Sequence, residues 1–251
     1  MEMAIKHSML ALVVIGASFG AQAQTCPVDV RNDIHIVDNT VSLYQEQQPK
    51  VLIDENYQLY INGQRVTLDD AQQKAVEAYS QHVQQYLPQV AAVAEEGSSM
   101  AKSVIAELAS AFDSNEAFTE VDKLVDEYTL KAREKFYKDD QFVMPADIFT
   151  TAETSWKEEF EQVMQRLSGA SMSAVFSALK EEMKDGELNF TEFQNKMSEL
   201  KSSMENQIKI RSADVAEKAE NVCDSMQGLA QEEQALHEKI PALKDYPMFE
   251  I

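Results

Sequence analysis

The chain has 251 residues, 43 of them acidic against 22 basic, a net charge of −21 at pH 7, 44% apolar residues and only 2 cysteines. That negative balance repels the phosphates of nucleic acid and anionic lipid headgroups, which argues against a partner of either kind. Glycine is scarce at 7 residues, which points to long helices and few tight turns.

The first 23 residues read as a secretory signal. Met1–Ser8 carries Lys6 and His7, Met9–Ala21 is apolar and small, and Ala21-Gln22-Ala23 offers the small residues a signal peptidase needs, so cleavage is expected after Ala23. The apolar run is too short for a transmembrane anchor. Thr25 stands immediately before Cys26, where a lipoprotein signal would need Gly, Ala or Ser. Removing one Lys and one Glu with the leader leaves the net charge at −21. The expected product is a soluble, exported chain of about 228 residues, long enough to bury a core as one domain or two.

After Cys26, Val28, Val30, Ile34 and Ile36 fall on alternate positions, the period of a half-buried strand. Val41–Tyr44 is a second short candidate, and Gln45–Lys50 reads as a polar loop. Tyr57–Ile61 and Gln64–Leu68 flank Asn62-Gly63, the residue pair suited to the two-residue turn of a twisted hairpin. Asp69 then caps a helix, with Gln72 placed to reach back to it.

The helix predicted from there aligns Val76, Tyr79, Val83, Tyr86, Leu87, Val90 and Val93, with Pro88 kinking or dividing it. Glu95–Ser99 reads as a stop followed by a start, and Met100–Phe112 and Glu116–Lys138 continue at helical spacing. Phe142–Pro145 is extended or a loop, because the residue before a proline avoids the helical region. A further helix is expected from Thr151 through Met183, and another over Phe190–Ile208. Asp185-Gly186 between them makes an antiparallel helical hairpin. In Ala213–Leu243 an apolar residue recurs every seventh position at Val215, Val222, Leu229, Leu236 and Leu243, interleaved with Ala219, Met226 and Ile240, so one face of this helix is buried.

Cys26 and Cys223 are the only cysteines. A disulfide is the default in an oxidising compartment. Two independent buried thiols are the alternative.

Three stretches carry a family resemblance: Cys26 leading into Arg31-Asn32-Asp33-Ile34, the segment LYINGQRVTLDDAQ at Leu59–Gln72, and Val222-Cys223 with Ile240-Pro241-Ala242-Leu243. They resemble the YggN-like family of Gram-negative periplasmic proteins of unknown function. The resemblance implies a periplasmic location and a paired-cysteine scaffold, and it names no reaction.

Glu181–Glu192, EEMKDGELNFTE, has the outline of a calcium loop, with Gly186 sixth, Leu188 eighth and Glu192 twelfth. Met183 occupies the third place, where an oxygen ligand is required, so Gly186 is read as the glycine of the hairpin turn. Of the histidines after the leader, His35 falls on the polar side of its strand and His82 in a polar patch. His237, one turn after Glu233, reads as part of a solvated helix face, since a di-iron bundle needs a paired Glu-x-x-His and position 234 is Gln. Met164, Met172, Met183, Met197, Met204 and Met226 suit either core packing or an adaptable apolar groove, and core is preferred. Motifs for a nucleophile elbow, a zinc helix, a phosphate loop or a Cys-x-x-Cys pair are absent.

The sequence therefore predicts an α+β, mainly α fold. Residues 24–68 form a small antiparallel N-terminal β-sheet packed on the long helices of 69–251, the two making one continuous domain. No catalytic residue, metal site or cofactor is expected. The expected role is non-enzymatic: a periplasmic binding, chaperone-like or envelope-associated protein that meets other envelope or secreted proteins through apolar helical surfaces. The alternative is a hydrolase or metal-dependent enzyme built from scattered carboxylates.

Overall fold

The computed structural model describes residues 26–111, 115–139, 141–146 and 190–251, with single positions between 148 and 173. The signal segment, most of the helix expected from Thr151 to Met183, and the Asp185-Gly186 turn with most of its calcium-like loop lie outside the described residues.

Among the described residues there are nine short strands: β1 (Asp29–Val30), β2 (Asp33–Val37), β3 (Thr40–Gln45), β4 (Gln48–Ile53), β5 (Leu59–Ile61), β6 (Gln64–Arg65), β7 (Tyr137–Lys138), β8 (Gln141–Met144) and β9 (Phe249–Glu250). Seven form an antiparallel sheet in the order β6-β5-β4-β3-β2-β8-β7, while β1 and β9 pair separately. The register gives the sheet one buried face. Met144, Ile34, Leu43, Val51 and Ile61 align across five strands, as do Phe142, Ile36, Val41, Ile53 and Leu59. Side chains alternate between faces along each strand, so these two rows give one wholly apolar face, and a one-residue slip would turn it to the other side. Ile34, Val41, Leu43 and Met144 are fully buried.

The sheet is larger than the N-terminal stretch alone, because Phe142–Met144 pairs with β2. Gln45–Lys50, expected as a loop, instead supplies a two-residue turn and the start of β4. Glu46 and Gln47 take φ of 50° and 61°, a left-handed conformation that side chains other than glycine and asparagine seldom adopt. Asn62 and Gly63 form the expected turn, with φ of 49° and 76°.

Three long helices complete the described architecture: α1 (Asp70–Ala111), α2 (Asn115–Phe136) and α3 (Phe190–Lys239). The α1 cap is the predicted one. Asp69 Oδ1 accepts from the amides of Ala71 and Gln72 at 2.9 and 2.8 Å, and the Gln72 side chain accepts from the Asp69 amide at 3.0 Å.

Neither Pro88 nor Glu95–Ser99 divides α1, which runs unbroken for 42 residues. Packing on both sides of each breaker overrides the local preference. Val83, Leu87 and Ala91 are buried around Pro88. Beyond it, Ser98 Oγ donates to the Ala94 carbonyl at 3.2 Å and Glu96 pairs with Lys218 of α3. The C-terminal end of α3 is set by Pro241, which holds Ile240 at φ −128°, ψ 81°, outside the helical region.

α1 lies between α2 and α3 and is antiparallel to both. Against α3, Gln72 reaches the Lys239 carbonyl, His82 meets Glu232 and Arg211 donates to Ser103. Against α2, Lys102 pairs with Asp126. The sheet covers the N-terminal half of α1, and its core rows merge with Val76, Tyr79, Val83 and Leu87 and with Met226, Leu229, Leu236 and Ile240 of α3.

The helices also extend well past this head. At about 1.5 Å per residue, 50 residues of α3 span roughly 75 Å, whereas a compact body of about 225 residues is on the order of 45 Å across. Moving eight residues on from Ser103 and eight back from Arg211 places Ala111 opposite residue 203, so α3 continues beyond the end of α1.

Candidate functional site

Cys26 and Cys223 are joined in a disulfide with their Cα atoms 5.6 Å apart, and the described residues contain no free cysteine. The bond fixes the start of the sheet to α3. At its other end α3 runs into the turn Pro241–Leu243 and then into β9, which returns to β1 through Asp29↔Glu250 and Val30↔Phe249. Both ends of the described chain are therefore tied to one helix.

The most unusual chemistry of the described residues lies under that return. Glu233 belongs to the buried stripe of α3, one turn from Leu229 and Leu236, and is only 4% exposed. Its two oxygens accept from the backbone amides of Met248 at 2.6 Å and Phe249 at 3.0 Å. From α1, the Tyr79 hydroxyl lies against both Glu233 and Met248 Sδ, the latter at 3.4 Å. His237 Nε2 is 3.8 Å from Glu233 on the next turn. The solvated face expected for Glu233 and His237 is thus a buried node, because the C-terminal segment folds back over it.

Two effects compete at Glu233. The backbone amides and Tyr79 favour the carboxylate, while removal from water penalises it. Desolvation is the larger, and the Glu233 pKa is pushed up to about 7. Burial and the nearby Glu233 carboxylate hold the Tyr79 hydroxyl well above its usual range. Burial, aided by Lys244, lowers His237.

The other histidines occupy different ground. His35 lies on the sheet face opposite the core rows, stacked on Tyr44 with ring centroids 4.1 Å apart, and burial lowers its pKa. His82 Nδ1 is 2.8 Å from Glu232 on the surface between α1 and α3. Met226 is fully buried in the core. Among the described residues no group of three or more His, Cys, Asp and Glu side chains is placed to hold a metal, and no helix is long and apolar enough to cross a membrane. Leu130 on α2 and Ile210 on α3 are 60% and 62% exposed.

Sequence reasoning missed the Glu233 node, although a signal was present. Ala219, Met226 and Ile240 keep a seven-residue step with one member missing, and the missing position is Glu233.

A family model described as a protein of unknown function, DUF2884, matches residues 26–249. No curated protein and no solved structure matches the chain.

Proposed function

The chain belongs to DUF2884, a family of unknown function, and we propose that it is a non-catalytic binding protein of the periplasm, exported by a signal cleaved after Ala23. In this reading it plays a chaperone-like or envelope-associated role, and its helical arm engages apolar segments of other envelope or secreted proteins. The supporting observation is the run of α3 beyond the end of α1, together with the exposure of two large apolar side chains, Leu130 on α2 and Ile210 on α3. Exposed apolar side chains on long helices offer contact area to an apolar segment, and the net charge of −21 opposes self-association. The disulfide suits an oxidising compartment. Glu233, the carboxyl among the described residues whose pKa is pushed up to about 7, lies beneath Met248 and Phe249 in the closed form.

Photo-cross-linking in cells exporting the protein tests this reading. A cross-linker replacing Leu130 or Ile210 is expected to capture envelope proteins, whereas one replacing Glu46, on a head turn, captures few. Capture from the arm no greater than from an equally acidic control protein would remove the support for binding.

A further inference from the structure

The C-terminal segment is held by a set of contacts that converge on a single buried carboxyl. Beyond Leu243, the chain is fixed by the Asn62 side chain on the Tyr246 hydroxyl at 2.7 Å, by Asn32 on the Pro247 carbonyl at 2.6 Å, and by the Arg31 amide on the Met248 carbonyl at 2.9 Å. Arg31 also pairs with Glu250 at the surface. These contacts reach the strap from its edges. Beneath it, Met248 and Phe249 are 3% and 6% exposed, and their amides both end on Glu233. Opening the strap would therefore hydrate Glu233 and uncover Val28, Val30 and Tyr79, all buried in the closed form.

We propose that residues 245–251 form a proton-gated latch with Glu233 as its catch: the strap stays closed while this carboxyl is protonated and loosens when it ionises. In the closed form a protonated Glu233 keeps both strap bonds without burying a charge. It accepts from the two strap amides, and the Tyr79 hydroxyl, which donates to Met248 Sδ, lies against it. An ionised Glu233 keeps the amide bonds but carries a charge that only opening returns to water.

The other titratable and charged groups facing this region are Tyr79 and His82 on α1, Glu232 and His237 on α3, Lys244, Asp245, Tyr246 and Glu250 on the strap side, and Asp29 and Arg31 at β1. His82 pairs with Glu232 at the surface between α1 and α3. His237, lowered by burial, loses any charge it carries at lower pH than an ordinary histidine. A variant confined to Glu233 separates its contribution from both.

Amide hydrogen exchange on the full exported chain reads the latch directly. Dividing by the intrinsic rate removes the pH dependence of the exchange chemistry itself. With Glu233 at about 7 when closed and at the ordinary 4.5 when open, protection of the Met248 and Phe249 amides should fall on the order of fiftyfold from pH 5 to pH 8. Protection of the Leu43 amide in the central sheet should change far less. Glu233→Gln, which cannot ionise and keeps one acceptor oxygen for the strap amides, should abolish the fall. Strap protection that is flat or rises with pH in the parent, or an undiminished fall in Glu233→Gln, overturns the latch. If Glu233→Gln does not fold, the side-chain carboxyl carbon of Glu233 is titrated in the parent by NMR. A midpoint near 7 shared with the strap amides supports the latch, and one in the ordinary glutamate range overturns it.

Discussion

Glu233 shows how one residue can set the pH response of a whole chain. Its folded pKa of about 7 lies above the ordinary 4.5, so its contribution to stability is fully present below pH 4.5 and is lost as pH rises towards 7. At 1.36 kcal/mol per pKa unit the loss is about 3 kcal/mol. His237 acts in the opposite sense. Its folded pKa is lowered, so stability is lost as pH falls below the ordinary histidine value of 6.5. Urea unfolding of Glu233→Gln is therefore expected to show a smaller decline from pH 5 to pH 8 than the parent, or a rise. An identical decline in both proteins would show that the Glu233 carboxyl does not drive the response. The residue was legible only as a gap in an apolar series, since no local pattern states that a segment ending at Glu250 will fold back over it.

At the level of elements, turn chemistry decided what could be read in advance. Asn62-Gly63 announces its hairpin because both residues tolerate positive φ. Glu46-Gln47 makes a turn of the same kind with residues that resist it, and so resembles a loop. The two exposed residues there each hold a costly conformation, and the double change Glu46→Asn with Gln47→Gly is expected to stabilise the protein by about 1–2 kcal/mol. A denaturation midpoint that stays put or falls would mean that the turn is not strained in this way. The helices fail in the opposite direction. Pro88 and Gly97 are genuine local breakers, yet α1 passes through both because its buried face continues on either side, a tertiary effect that no short window contains. β8 was legible as an extended stretch or a loop but not as a neighbour of β2, because that pairing joins positions more than 100 residues apart.

For the whole molecule, a head clamped at both ends carries a long helical arm. The disulfide spans 197 positions, and closing so long a loop restricts the unfolded chain by about 5 kcal/mol on the entropy model, with roughly 2–4 kcal/mol typical in practice. Replacing both cysteines by serine should lower stability by an amount in that range while leaving the helical content unchanged at low temperature. A loss below about 0.5 kcal/mol would mean that the sheet and strap hold the head without the bond. The head and its clamp were visible in the sequence through two cysteines and one apolar repeat. The arm was not, because its length depends on helices running through apparent breaks.

The binding account is tested most directly by light scattering, following the aggregation of a urea-unfolded, apolar envelope protein on dilution. The exported chain is expected to suppress scattering near equimolar ratio. The arm variant Leu130→Glu with Ile210→Glu should be several-fold weaker, and the head variant Glu46→Asn with Gln47→Gly should match the parent. Absence of suppression by the parent, or equal suppression by the parent and the arm variant, would contradict the account.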